Sequence, residues 1–235
     1  MDMGLYREIA SLTGMGKAFI SLIGSGGKTT FMERYADYLR SAGKRVLMTT
    51  TTKIMSPHRH DYGADMVFSD DSVLSFRPEG PCAVLYALEN PETGKWYCPP
   101  IGNLEALMGM YDVVINEADG ARLLPVKVHT ERDPQVPAFT TFTISILGLW
   151  AIGRRTSEVA FGEERDLVVD ADYLNWLLHD VEGLLKSSIV GRRAIVFNGA
   201  EECCPLPLLK GLEYPSDVHV YAASEREGRI YGKIR

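Results

Sequence analysis

The run from Lys17 to Thr50 constrains this chain more than any other segment. KAFISLI, over 17–23, reads as a buried strand that enters the glycine cluster Gly24-Ser25-Gly26-Gly27. Lys28, Thr29 and Thr30 follow at once. The 29–42 segment sets Phe31, Tyr35, Tyr38 and Leu39 on one helical face, with Gly43 placed as its C-terminal cap. RVLMTT, over 45–50, is a second strand. Strand, glycine turn, helix and strand form one βαβ unit, which requires parallel strands and a right-handed crossover.

The residues of that turn select an anion. Glycines accept positive φ and let backbone approach a ligand closely. The N–H groups they free, together with the helix N-terminus, favour negative charge. In a nucleoside triphosphate site Lys28 reaches the β and γ phosphates and the Thr29 hydroxyl ligates Mg²⁺. Leu22 stands where the strict phosphate-loop motif has its first glycine, so the compact form Gly24-x-x-Gly27-Lys28-Thr29 is what remains. That form is as close to the loop of Mur-type ligases as to that of GTPases. A turn that merely starts a helix is the competing reading, and the Lys-Thr-Thr run in a strand-to-helix context weighs against it.

Three further segments gather around this loop. The second strand runs into Thr49-Thr50-Thr51-Thr52-Lys53. Thr49 and Thr50 suit a β-branched strand. Thr51, Thr52 and Lys53 fall beyond its carboxyl end, where open α/β sheets bind ligands. VVINEAD, over 113–119, is an apolar strand that ends in carboxylates, with Glu117 the first candidate to hold magnesium and Asp119 the second, or a positioner of water. Asn198-Gly199-Ala200-Glu201 ends a late strand, where GTPases carry Asn-Lys-x-Asp. Asn198 is placed to touch a base or to make a turn. With glycine and glutamate in place of lysine and aspartate, ATP and GTP both stay open. Lys127, His129, Glu131 and Asp133 lie in a loop where a metal or second substrate is conceivable, although a solvated or core histidine is the commoner state of a lone His129.

The rest of the chain supports an α/β fold. Met1–Leu12 reads as a short amphipathic helix, and strands are expected near 65–68, 111–116, 142–147, 194–197 and 218–222. A hairpin of 83–89 and 95–97 turns around Asn90–Gly94. Leu174, Leu177, Leu178, Val181 and Leu185 form one stripe of a helix over 171–186. The expected architecture is a three-layer, mostly parallel sheet of the phosphate-loop NTPase type with a small hairpin insertion. At 235 residues without a linker-like stretch, the chain reads as one nucleotide-binding domain over 1–235. A net charge of −6 and isolated doublets such as Arg154-Arg155 and Arg192-Arg193 give no basic face for nucleic acid. No run is long enough for a membrane span and the start is not a signal peptide, so a cytoplasmic location is expected. The four cysteines include no Cys-x-x-Cys pair, which argues against structural zinc.

GSGGKTT at 24–30, TTTTKI at 49–54 and NEADGARLLP at 116–125 occur in that order. With LGLWAIG at 147–153, they resemble the YqeC family, described as accessory proteins for selenium-dependent hydroxylases in selenium cofactor biosynthesis. The resemblance implies an NTP-binding, Mg-dependent accessory role, ATP or GTP as cofactor, and a selenium-dependent molybdenum hydroxylase or its maturation factors as partner. It carries Gly24, Ser25, Gly26, Gly27, Lys28, Thr29 and Thr30 over as nucleotide residues. Thr51, Thr52, Lys53, Glu117 and Asp119 follow as matching site positions. The family pattern also implies an acidic residue where Trp150 stands and a His-Arg-like pair near Ala160-Phe161. From the residues alone, a small-molecule kinase or ligase and a non-enzymatic, nucleotide-dependent scaffold are the alternatives.

Overall fold

The computed structural model describes residues 2–14, 16–186 and 189–235. Met1, the first residue of the helix expected over 1–12, lies outside them. A nine-stranded sheet is built from β1 (Ala18–Gly24), β2 (Arg45–Thr50), β3 (Met66–Phe68), β4 (Cys82–Tyr86), β5 (Val113–Glu117), β6 (Phe142–Gly148), β7 (Arg192–Asn198), β8 (Val218–Ser224) and β9 (Arg229–Lys233). Their order across the sheet is β9-β8-β7-β6-β1-β5-β2-β4-β3. Neighbours run parallel except for β8 and β9. The larger helices are α1 (Gly4–Thr13), α2 (Lys28–Ser41), α3 (Ile101–Leu107) and α4 (Ala171–His179).

Alternation along the strands makes three layers. Ile20 and Leu22 of β1, Val46 and Met48 of β2, and Ile144 and Ile146 of β6 face one side. There they pack on Leu5, Tyr6 and Ile9 of α1 and on Phe31, Tyr35 and Leu39 of α2. Phe19, Leu47 and Val114 point the other way, onto Leu104 and Leu107 of α3. Leu147, Ile195, Phe197 and Val220 join Leu174, Leu177 and Leu178 of α4 on that same side. Because both faces are covered, β1 is buried along its whole length.

The chain leaves β1 for β2 on one side, and later crosses from β5 to β6 on the other. The turn after β1 therefore sits where the strand order reverses, the place at which open α/β sheets form a crevice.

Two expectations need correction. CAVLY at 82–86 is not the first arm of a hairpin: it pairs parallel with β2 and β3 and is buried at every residue. The Asn90–Gly94 turn joins only Leu88–Asn90 to Lys95–Tyr97, and the latter pairs with Lys53–Ile54 in a small separate sheet. The late helix does not reach residue 186. It stops at His179, and Val181 is 74% exposed. The chain turns back there because Leu184 N–H donates to Leu177 O at 2.7 Å and Gly183 lies directly on that carbonyl. β9 and α3 were not expected from the sequence. Among the described residues no helix is long and apolar enough to cross a membrane.

A methyl group on Gly183 would come within 2.1 Å of Leu177 O, a backbone atom. We expect Gly183→Ala to cost about 1–3 kcal/mol through forced shifts at the end of α4, read as a lower urea midpoint at an unchanged m-value.

Candidate functional site

Three positive φ angles shape the turn after β1: 83° at Gly24, 87° at Gly26 and 129° at Gly27. Space demands glycine as well. A Cβ at Gly24 would lie 2.3 Å from Ile146 O, and one at Gly26 would lie 2.5 Å from Gly148 N. α2 begins at Lys28 with no side-chain cap and no acidic residue in its first turn. Its first N–H groups thus have no intrahelical acceptor, and the positive end of the helix dipole is open.

Lys28 is 6% exposed and folds back over the turn. Its Nζ donates to Gly24 O at 2.5 Å and sits 2.9 Å from Asp119 Oδ1. Asp119, wholly buried, accepts from Gly24 N–H at 2.8 Å through Oδ2. His129 adds a third partner. Its Nε2 is 2.8 Å from Asp119 Oδ2 and its Nδ1 is 2.8 Å from Gly183 O. Burial opposes the charge of the Asp119 carboxyl, but Lys28 and His129 outweigh it and hold the pKa down to about 2. Burial likewise opposes the Lys28 ammonium, and Asp119 and Glu117 more than offset it, so its pKa rises.

Glu117 ends β5 beside this cluster. Its Oε2 accepts from the Thr29 hydroxyl at 3.1 Å. Burial raises its pKa, and Lys28 only partly offsets that effect. Two hard oxygen groups thus stand side by side at the mouth of the turn, a donor pair suited to Mg²⁺.

A cavity of about 470 Å³ opens over these groups. Residues 25–30, Lys53 and Glu117 line it, as do Tyr62 and Arg122. Of the expected site residues, Asp119 lies beneath the floor instead. Thr51 is engaged in structure: its hydroxyl donates to Gln135 O at 2.6 Å and accepts from Asn116 Nδ2 at 3.1 Å. Thr52 lies next to it without lining the cavity. Asn198 clasps the turn from the far side, donating to Gly26 O at 2.8 Å and accepting from Glu225 N–H at 3.0 Å. Lys127, 1% exposed, pairs with Asp133 at 2.8 Å and also donates to Gly120 O. Among the described residues no cluster of three or more His, Cys, Asp or Glu side chains is placed to hold a metal ion.

Sequence reasoning missed His60, Tyr62, Arg122 and Glu225. His60 bonds to Glu33 of α2 and stands edge-on to Tyr62 at the cavity wall. Arg122 and Leu123 adopt φ of 49° and 64°, a region costly for side-chain-bearing residues, and Leu123 is 92% exposed. Strain of this kind gathers at ligand sites.

The YqeC protein family model matches residues 20–164, which hold the glycine turn, the threonine run and the Glu117–Pro125 segment. The chain belongs to the YqeC family. A relative, the Uncharacterized protein YqeC of Escherichia coli (strain K12), is 30% identical over 142 residues, 59% of this chain and 54% of that protein. The chain thus spans about half the length of this YqeC relative. No solved structure matches it.

Removing either member of the buried Lys28–Asp119 pair should cost about 3–5 kcal/mol, because the other charge stays buried. Lys28→Met and Asp119→Asn combined should cost clearly less than the sum of the two, as measured by urea unfolding of all four proteins. A second expectation concerns Glu225, whose carboxyl is pushed up to about 8 by burial, with Glu201 adding to the effect. A raised folded-state pKa contributes stability below the unfolded value that is lost as pH rises through the folded one. Stability should therefore decline between about pH 4.5 and 8, and Glu225→Gln should flatten that decline in urea midpoints taken across the range.

Proposed function

We propose that the turn Gly24–Thr30 is a phosphate loop that binds the triphosphate of ATP or GTP with Mg²⁺, and that the sheet is of the phosphate-loop NTPase type. The observation that carries this reading is the conjunction at one helix end. An uncapped α2 N-terminus, the Lys28 ammonium and the Thr29–Glu117 oxygen pair all border one cavity. N–H groups and dipole favour the phosphate oxygens. Lys28 supplies a positive charge that stabilises developing charge on a transferring phosphoryl group. Thr29 and Glu117 would hold the magnesium ion, which neutralises phosphate charge when bound. A cation between them would also offset the burial that disfavours the charged Glu117.

In this reading the chain is an NTP-dependent accessory protein. Membership of the family supports a place in the maturation of selenium-dependent molybdenum hydroxylases, with the hydroxylase or its maturation factors as partner. Lys53 and Arg122 on the cavity wall favour phosphoryl transfer to an anionic acceptor as a second reading. Acceptor-dependent turnover of the NTP would distinguish that activity from simple hydrolysis. A scaffold that binds nucleotide without turning it over is the remaining alternative.

Calorimetry in the presence of magnesium should show binding of ATP or GTP. Lys28→Met should weaken it by roughly 10- to 100-fold, the range of a lost charge-assisted hydrogen bond. Thr29→Val should retain magnesium-free affinity and lose the enhancement by magnesium. A folded Lys28→Met protein that binds as tightly as the wild type would remove the phosphate-loop assignment.

A further inference from the structure

A second cavity, of about 310 Å³, lies on the opposite flank of the glycine loop, at the carboxyl ends of β6, β7 and β8. Trp150, Asn198, Gly199, Glu201 and Glu225 line it, with Glu202 and Arg226 at its edge. It touches the loop at two points. Asn198 Nδ2 donates to Gly26 O at 2.8 Å, and Glu225 is packed so closely on Gly27 that a Cβ there would lie 2.3 Å from Glu225 Oε1. The volume falls at the lower end of ligand-sized cavities.

Glu201 and Glu225 bring two carboxyl groups to its walls. Glu201 Oε2 is buried and has no hydrogen-bond partner. Glu225 is 8% exposed. Arg226, which also lines the cavity, lies near enough to Glu225 to favour its charged form. A buried acceptor left unpaired is costly, so such groups call for a ligand with N–H donors. A metal ion is not the answer, since these carboxylates do not converge as a metal-holding group. The third wall is aromatic: the Trp150 ring packs on Gly148 and Gly199 and stays 42% exposed. A free aromatic surface takes the flat face of a nucleobase.

We propose that this cavity holds the base of the nucleotide whose phosphates lie in the glycine loop, and that the base is guanine, read by Glu201 and stacked on Trp150. The assignment rests on the phosphate-loop reading. An ionised carboxylate offers two acceptors side by side and no donor. Guanine matches it with N1–H and the 2-amino group, two adjacent donors. Adenine sets a donor beside an acceptor and turns a lone pair toward one carboxylate oxygen. Asn198 does not read the base, because its amide is bonded to the loop and to Glu225.

The test is calorimetry on the full chain with magnesium, using GTP, ATP, xanthosine triphosphate and inorganic tripolyphosphate. GTP should bind on the order of 10- to 100-fold tighter than ATP. Glu201→Gln replaces one acceptor by a donor. It should weaken GTP by a similar factor and strengthen xanthosine triphosphate, whose N1–H lies beside a carbonyl oxygen. That gain is an outcome a misfolded variant cannot give. Equal affinity for GTP and ATP, or a Glu201→Gln protein unchanged toward GTP, would overturn the assignment. Lys28-dependent binding of tripolyphosphate without a base preference would overturn guanine alone and leave the phosphate loop standing. Failure of every one of these ligands to bind would overturn both.

Discussion

The buried contact between Lys28 and Asp119 fixes the geometry on which the site depends. Two charges removed from water are costly, and their attraction offsets that cost only when the remaining hydrogen-bonding positions are also filled. Here they are. Asp119 takes the Gly24 amide and His129 in addition to Lys28, while Lys28 also reaches the Gly24 carbonyl. The first strand of the sheet, the end of the fifth and the segment after α4 are thereby tied at one point. The course of the glycine loop is thereby set by contacts within the protein.

Polar residues crowd the carboxyl edge of the sheet, but most serve the backbone. Thr49 donates to Tyr86 O at 2.8 Å and Thr50 to Glu117 O at 2.9 Å, so both hydroxyls are engaged by strand-end carbonyls. Asn116 bonds to Ser21 and Thr51, and Asn198 to Gly26. The groups left facing a cavity are fewer: Lys28, Thr29, Lys53, Glu117 and Arg122 on one flank, Glu201 and Glu225 on the other.

Legibility in the sequence followed how local each cause was. The glycine turn and α2 were readable because strand burial, glycine conformation and helical period all act within about 30 residues. The residue types of the first cavity followed from the same segment together with the apolar run to Glu117. CAVLY was misassigned because a parallel strand buried on both faces lacks the alternation of a half-exposed one, and a true turn signal lay nearby. The stripe through Val181 continued the period of α4, but the close approach of Gly183 to Leu177 ended the helix, and only packing reveals that. β9 is a short, half-exposed edge strand with a weak pattern. The partnership of Asp119 with His129 and the packing of Trp150 on Gly199 join segments that nothing in the local sequence links. The strand order alone brings them together.

That order has one more consequence. The glycine loop stands on a seam, with β5 and β2 on one hand and β6, β7 and β8 on the other. The groups around Thr29 and Lys53 draw on the first half, and those around Trp150 and Glu201 on the second. Substitutions that accumulate on one side leave the other side's strands, turns and side chains in place. Such a sheet lets the residues of the two flanks change, or be engineered, separately.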